Sequence, residues 1–161
     1  MRTVASALML TALFVTAAPA ADHFAGTWKE VAAKSTNNWD QKPNATLTRT
    51  YTPTANGGYE VKIEGTDGEG KPITVTLQAA GNVERPIGAT PSPVVKMLGA
   101  THVISRRVDD HTLVATYLKD GKKVGTSTSK VSADGRTLTM TLEGTSTDGK
   151  KLKGKTVYQK S

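Results

Sequence analysis

Residues 101–159 constrain the fold of this chain most strongly. They alternate apolar and polar side chains in short runs, separated by turns that are rich in Asp and Gly. Asp-Gly between such runs is a strong hairpin signal. The pattern predicts five consecutive antiparallel strands, at residues 101–108, 112–119, 122–131, 137–145 and 151–159. A meander of this length must bury one face and protect its edges, so the rest of the chain has to close the sheet.

The first half of the chain adds four predicted strands. An opening strand covers residues 26–33, and alternation indicates others at residues 46–52, 59–64 and 73–78. A helical periodicity is nearly absent. About nine strands joined by short connections lose their edges most simply by rolling up. The sequence therefore predicts an all-β fold: a closed antiparallel up-and-down barrel of about 8–10 strands.

Two segments interrupt this strand pattern. Residues 35–45 are polar and include Pro43, yet Trp39 lies among them, which is unusual for a loop. Residues 81–100 contain Pro86, Pro91 and Pro93. Because proline cannot serve in a central ladder, this second segment is predicted to be irregular, with residues 94–98 as either a short helical turn or a strand. It would act either as a functional lid or as a crossing loop over one end of the barrel.

The N-terminus has the pattern of a secretory signal peptide. A short positive start precedes an apolar run, which ends in the small-residue cleavage pattern Ala18-Pro19-Ala20. The run is shorter than the roughly 20 residues that a membrane-spanning helix needs. We expect residues 1–21 to be a signal peptide cleaved after Ala20 or Ala21, and residues 22–161 to be one domain. The expected location is the periplasm or the extracellular medium.

Charge and cysteine content exclude several classes of function. The chain carries 21 Lys and Arg against 14 Asp and Glu, a net charge of +7, and it has no cysteine. Disulfides and thiolate metal sites are therefore ruled out. The cations are scattered and aromatic residues are sparse, so nucleic acid is not a predicted partner. Weak contact with an anionic membrane surface stays open, and a monomer is expected.

The sequence contains no recognisable catalytic or metal-binding constellation. His23, His102 and His111 are its imidazoles. With about 3.3 Å per strand residue, His102 and His111 are expected to lie far apart. No histidine is placed by a known motif to activate a serine, and phosphate-binding loops are absent. We predict no catalytic residue, no metal site and no cofactor.

Arg106 and Arg107 are the strongest polar lead. Neighbouring strand residues point to opposite faces, so one of the two should point into the barrel, and the turn register decides which. A buried arginine needs an anionic or carbonyl partner. That partner would be the carboxylate of a ligand, or one of Glu30, Glu64 and Glu143.

The two ends of the mature chain resemble a known superfamily. The opening Phe24-Ala25-Gly26-Thr27-Trp28-Lys29, ahead of a barrel of this size, resembles the opening of calycins, which include lipocalins and fatty-acid-binding proteins. The C-terminal Thr156-Val157-Tyr158-Gln159-Lys160 is similar to the last strand of fatty-acid-binding proteins. Nearly the whole mature chain also looks like a group of exported bacterial proteins with a lipocalin-like domain.

The resemblance implies a packing role for Trp28, whereas differences from fatty-acid-binding proteins argue against their lid and their carboxylate clamp. It implies that Trp28 packs across the closed end of the barrel. Fatty-acid-binding proteins carry a two-helix lid, for which residues 35–45 are too short, and an arginine two residues before the final tyrosine. Here Thr156 replaces that arginine while Tyr158 is kept, so the carboxylate clamp of that family is not expected.

The function predicted from the sequence is non-enzymatic binding of a small, partly hydrophobic or amphipathic molecule inside the barrel. The candidate ligand-binding residues are Trp28, Tyr51, Tyr59, Arg106, Arg107, Leu113, Tyr117, Met140 and Tyr158. The alternative is a structural or envelope-interaction protein with a filled barrel and a basic outer surface. A cofactor-independent enzyme that uses Arg and Tyr is a third reading. An interior cavity of about 300 Å³ or more would favour a binder.

Overall fold

Eleven strands of the described residues form one sheet that rolls into a barrel, ten of them in one continuous order and one short strand beside it. A computed structural model describes residues 22–39, 46–66, 69–88 and 91–161; the predicted signal peptide lies outside these residues. The strands are β1 (Gly26–Glu30), β2 (Thr36–Asn37), β3 (Thr46–Pro53), β4 (Tyr59–Thr66), β5 (Pro72–Ala79), β6 (Gly81–Pro86), β7 (His102–Asp109), β8 (Thr112–Lys119), β9 (Lys122–Val131), β10 (Thr137–Thr145) and β11 (Lys151–Lys160). Their spatial order is β5-β4-β3-β1-β11-β10-β9-β8-β7-β6, and β2 also pairs with β11.

The C-terminal meander is confirmed. Strands β7 to β11 lie within one or two residues of their predicted bounds, and each pairs with the next in antiparallel register. Between β8 and β9, Asp120 and Gly121 both have positive φ, at 50° and 71°. That conformation matches the hairpin turn that Asp-Gly favours, because its twist suits the flanking strands.

Strand β1 closes the barrel by pairing on both sides. Trp28 lies opposite Arg49 of β3 and opposite Lys160 of β11, so the first strand joins the two halves of the chain. Strands β5 and β6 form the two ends of the strand order, and no ladder joins them within the described residues. At their connection, the N–H of Ala80 donates to Ser105 Oγ (3.0 Å). The predicted barrel is therefore confirmed as nearly closed, with a seam between β5 and β6.

Two predictions about local structure were wrong. The opening strand ends at Glu30, and a 3₁₀ turn (Ala32–Lys34) separates it from β2. Strand β6 lies within the segment predicted to be irregular, whereas the short helix α1 (Pro93–Leu98) falls where the sequence allows either a helical turn or a strand. Because β6 pairs only with β7, it tolerates Pro86 at its end. Helix α1 starts at Pro93, and Gly99 follows its last residue in the left-handed conformation. Proline is common at the first position of a helix, and glycine is common just after the last. None of the helices in the described ranges is long and apolar enough to cross a membrane.

Apolar packing fills one end of the barrel, here called the base. Its members come from strands on opposite sides of the sheet, so they lie inside the barrel. They are Phe24, Trp28, Leu47, Tyr51, Tyr59, Val61, Ile63, Leu113, Val131, Leu138 and Tyr158. At the opposite end of the strands, here called the mouth, buried Leu98 of α1 lies against Gly125 of β9 and Gly144 of β10.

Candidate functional site

Cross-strand register decides which of the two neighbouring arginines faces the interior. Residues directly opposite one another in an antiparallel pair share a face of the sheet. Arg107 lies opposite Leu113, which belongs to the core, whereas Arg106 lies opposite Val114. Arg107 therefore faces inward. Arg106 is exposed on the outer face, so it cannot line the interior as predicted.

The partner of Arg107 is Asp22, which was not among the predicted partners. The Nη2 of Arg107 lies 3.6 Å from Asp22 Oδ1, and its guanidinium lies 5.8 Å from the centre of the Tyr59 ring. The predicted partners Glu64 and Glu143 instead pair with lysines on the surface. The predicted carboxylate partners of Arg107 were therefore wrong. Asp22 lies outside the strands, in residues 22–25 ahead of β1, here called the N-terminal segment, and its position depends on how this segment folds back.

Asp22 ties the N-terminal segment across the base. Its Oδ1 accepts hydrogen bonds from the Tyr59 hydroxyl (2.6 Å) and from the N–H groups of Phe24 (3.1 Å) and Ala25 (3.3 Å). This arrangement places the fully buried Phe24 ring against Tyr51 and Tyr59, with centroids about 6 Å apart. The base is therefore closed by both apolar packing and an ion pair.

Two buried tyrosines, Tyr59 and Tyr158, have raised pKa values. Burial raises the pKa of Tyr59, and its hydrogen bond to Asp22 raises it further; burial also raises the pKa of Tyr158. The folded pKa values thus exceed those of the unfolded chain, so the stability from these groups is full below about pH 10 and falls as pH rises above it. Phenolate absorbance during an alkaline titration should therefore include a component that appears well above pH 10. Asp22→Ala should shift the ionisation of Tyr59 back towards pH 10; an unchanged titration would contradict the Asp22 contact.

Arg49 of β3 lies inside the barrel between two tyrosines. It faces the interior because it lies opposite Trp28. Its Nε donates to the Tyr158 hydroxyl (3.2 Å) and its Nη1 to the Tyr51 hydroxyl (3.5 Å), while its guanidinium lies 5.6 Å from the centre of the Tyr158 ring. Burial by itself lowers the pKa of Arg49, but Tyr158 and Tyr51 outweigh that effect and hold the pKa above its ordinary value. The side chain is therefore a permanent cation.

The positive charge of Arg49 has neutral partners. None of the ion pairs formed among the described residues includes it. Glu30 lies opposite Tyr158 on the inner face, where its charge adds to the raised pKa of that tyrosine. Arg49 thus presents guanidinium N–H groups next to two phenol hydroxyls, an arrangement that suits a planar anion.

The middle of the barrel, between base and mouth, is less tightly filled than the base. Met140 and Leu142 of β10 and Thr156 of β11 share the inner face with buried Leu138 and Tyr158. All three are half-buried, as is Arg49, although β10 and β11 lie in the interior of the strand order. Solvent therefore reaches this inner surface, which is lined by one cation, one hydroxyl and apolar side chains.

The two best-defined pockets lie elsewhere. One, of about 510 Å³, is open and lies beside the C-terminus, with Lys29, Arg136 and Lys160 among its lining residues. The other, of about 60 Å³, lies at the seam between β5 and β6 next to Tyr59 and Arg85. Neither is an enclosed interior cavity of about 300 Å³ or more, the feature that would favour a binder.

The predicted site residues fall into groups once the fold is known. Five of them pack in the base: Trp28, Tyr51, Tyr59, Leu113 and Tyr158. Met140 is half-buried in the middle of the barrel, and half-buried Tyr117 places its hydroxyl 3.4 Å from Ser127 Oγ. Tyr51 and Tyr158 meet at Arg49, which the sequence analysis passed over. Its signal was present: Leu47, Arg49 and Tyr51 share one face of β3, so an arginine stood on an otherwise apolar face.

Two histidines, His23 and His111, are in contact. The rings of His23 and His111 stack with centroids 4.0 Å apart, because the N-terminal segment folds back onto the turn between β7 and β8. The expected separation concerned His102 and His111, which this contact does not test. In the described ranges no three His, Cys, Asp or Glu side chains come together as metal ligands would.

Comparison with known proteins shows the fold. No protein-family model matches the sequence, and no curated protein does. Among solved structures, the wild-type fluorescent protein UnaG is similar, with 21% identity, a TM-score of 0.58, and coverage of 86% of this chain and 97% of that one. Zebrafish ileal bile acid-binding protein complexed with cholic acid is also similar, with 10% identity, a TM-score of 0.51, and coverage of 86% and 99%. This chain thus has the antiparallel β-barrel fold of these proteins, as predicted from its sequence, although the described strands leave a seam between β5 and β6 where full closure was predicted.

Proposed function

We propose that this protein binds a small amphipathic anion, without chemical conversion, with the acidic group on Arg49 and the apolar body in the middle of the barrel. The observation that carries the proposal is the Arg49 site itself. A protonated guanidinium faces the interior, and its hydrogen-bond partners are the neutral hydroxyls of Tyr51 and Tyr158.

The energetics of a half-buried charge inside the barrel favour an anionic ligand. A charge removed from water is costly unless a counter-charge and hydrogen bonds compensate it. Tyr51 and Tyr158 accept hydrogen bonds from Arg49, and each hydroxyl keeps its own proton to donate. A carboxylate at this point would receive charge-assisted hydrogen bonds from the guanidinium and neutral ones from the phenols.

The surrounding wall fits the rest of such a molecule. Half-buried Met140, Leu142 and Thr156 line the middle of the barrel along β10 and β11. Ligand sites of this kind combine apolar walls with a few polar groups that fix orientation. The structural neighbour that was solved with cholic acid holds an amphipathic carboxylic acid, which supports the same chemical class for this chain.

The proposal is tested by comparing acids with a neutral analogue. Calorimetric titration with dodecanoate and with cholate should show saturable binding of at least one of them at one site per chain. Dodecan-1-ol should bind at least about 10-fold more weakly, because a charge-assisted hydrogen bond contributes roughly 1.5–3 kcal/mol. Native mass spectrometry of protein purified from its own host would reveal an acid that copurifies.

Equal affinity for the alcohol would contradict the role of Arg49. Absence of binding by both acids would overturn the proposed function. It would then favour the structural alternative, in which the barrel interior serves only stability.

A further inference from the structure

Trp39 covers part of the inner surface at the mouth. Its indole lies over Gly154 of β11, on the face that also carries Thr156 and Tyr158. A Cβ atom at position 154 would clash with Cη2 of Trp39, so only glycine leaves room for this ring. Trp39 itself stays half-buried, in contrast to Trp28, which is fully buried in the base.

The backbone before Trp39 is fastened to β11. Asn38 accepts a hydrogen bond at Oδ1 from the Lys153 N–H (2.8 Å) and donates one from Nδ2 to the Lys151 carbonyl (2.8 Å). Its own N–H donates to the Lys153 carbonyl (3.0 Å). These bonds fix Asn38 on β11. The backbone of Asn38 therefore positions the Trp39 indole over the mouth.

The other cover at the mouth is of a different kind. Leu98 of α1 is almost completely buried against Gly125 and Gly144, so it belongs to the fixed structure of the mouth. Trp39 is only half-buried, and its ring lies over Gly154, the residue opposite half-buried Leu142 on β10. Of the two covers, Trp39 is therefore the one with surface left to contact a ligand.

The spacing between this cover and the acid site sets a length for the ligand. Gly154 and Tyr158 are four residues apart on β11. At about 3.3 Å per residue, the Trp39 position and the Arg49 site are separated by roughly 13 Å along the strand. A molecule that reaches both would carry its acidic group and its apolar end at about that distance.

We propose that Trp39 is a specificity-determining lid, which packs its indole on the apolar end of an anionic ligand whose acidic group lies on Arg49. This rests on the proposed function, since it requires a ligand in the barrel. It adds which residue contacts the far end of that ligand, and it makes affinity depend on the length of the molecule.

Binding to Trp39 variants tests the proposal. For the acid that binds the wild type more tightly, Trp39→Ala should weaken binding about 3- to 10-fold, as expected when an aromatic contact is lost. Gly154→Ala should weaken it similarly, because the new methyl group displaces the indole. The double variant should be no weaker than Trp39→Ala alone, since both changes remove one contact. Gly88→Ala, with no atom within 4 Å of the added methyl group, is the matched control.

Tryptophan emission gives an independent readout. Ligand binding should shift the wild-type emission to shorter wavelength, and Trp39→Phe should abolish the shift because buried Trp28 does not report it. Octanoate, which is too short to span about 13 Å, should bind Trp39→Ala and the wild type equally. Unchanged or tighter binding of the long acid by Trp39→Ala would overturn the lid. Failure of the wild type to bind any acid would instead overturn the proposed binding function, on which the lid depends.

Discussion

Replacing Arg49 with methionine is expected to weaken carboxylate binding by at least about 30-fold while leaving the protein as stable as before, or more stable. Truncating one partner of a buried charge pair typically costs about 2–5 kcal/mol of binding free energy, and 2 kcal/mol corresponds to roughly 30-fold. Arg49 donates its hydrogen bonds to neutral phenols and belongs to none of the ion pairs among the described residues, so an apolar side chain of similar length should replace it at little cost in stability.

Two measurements on the same variants check this result. Calorimetry with the tighter-binding acid gives the affinity, and urea unfolding gives the free energy of unfolding. Arg106→Met is the matched control, because Arg106 is exposed on the outer face and should change neither quantity. Arg49→Lys keeps the charge but loses the planar fork, so an intermediate affinity is expected. A large loss of stability in Arg49→Met would show that the guanidinium holds the tyrosines together rather than awaiting a ligand.

Replacing Trp28 with alanine is expected to lower the free energy of unfolding by about 3–5 kcal/mol. The indole is fully buried in the base, and its Nε1–H donates to the Phe24 carbonyl (2.8 Å), which holds the N-terminal segment in place. The substitution leaves a cavity and an unpaired carbonyl. Since small domains are stable by only about 5–15 kcal/mol, this variant would lose a large fraction of its stability.

The second tryptophan serves as the control for this prediction. Trp39→Ala should cost clearly less than Trp28→Ala, because Trp39 is half-buried at the mouth. Urea unfolding followed by far-ultraviolet circular dichroism measures both, with the same denaturant dependence if unfolding stays two-state. Equal losses in the two variants would show that Trp39 is part of the core, which contradicts a lid with surface to spare.

Local pattern alone determined most of the strands. Alternation with a period of two and the Asp-Gly turns depend only on neighbouring residues, so the predicted strands from β7 to β11 agree with the structure almost residue by residue. The same pattern placed Arg49 and Tyr51 on one face of β3. The predicted bounds of strands were wrong where tertiary contacts decide the structure. Strand β1 ends at Glu30, earlier than predicted, and β6 forms despite Pro86 because it lies at the end of the strand order.

The candidate site was decided only by closure of the barrel. Alternation divides a strand into two faces but does not say which face is inside; that depends on register with the next strand, which put Arg107 inward and Arg106 outward. Contacts across the barrel are also invisible to local pattern, since Arg49 and Tyr158 are 109 residues apart and meet only because β1 joins β3 to β11. The sequence by itself therefore determined the strands and their turns. Tertiary structure decided which charges share the interior, because that depends on contacts between segments distant along the chain.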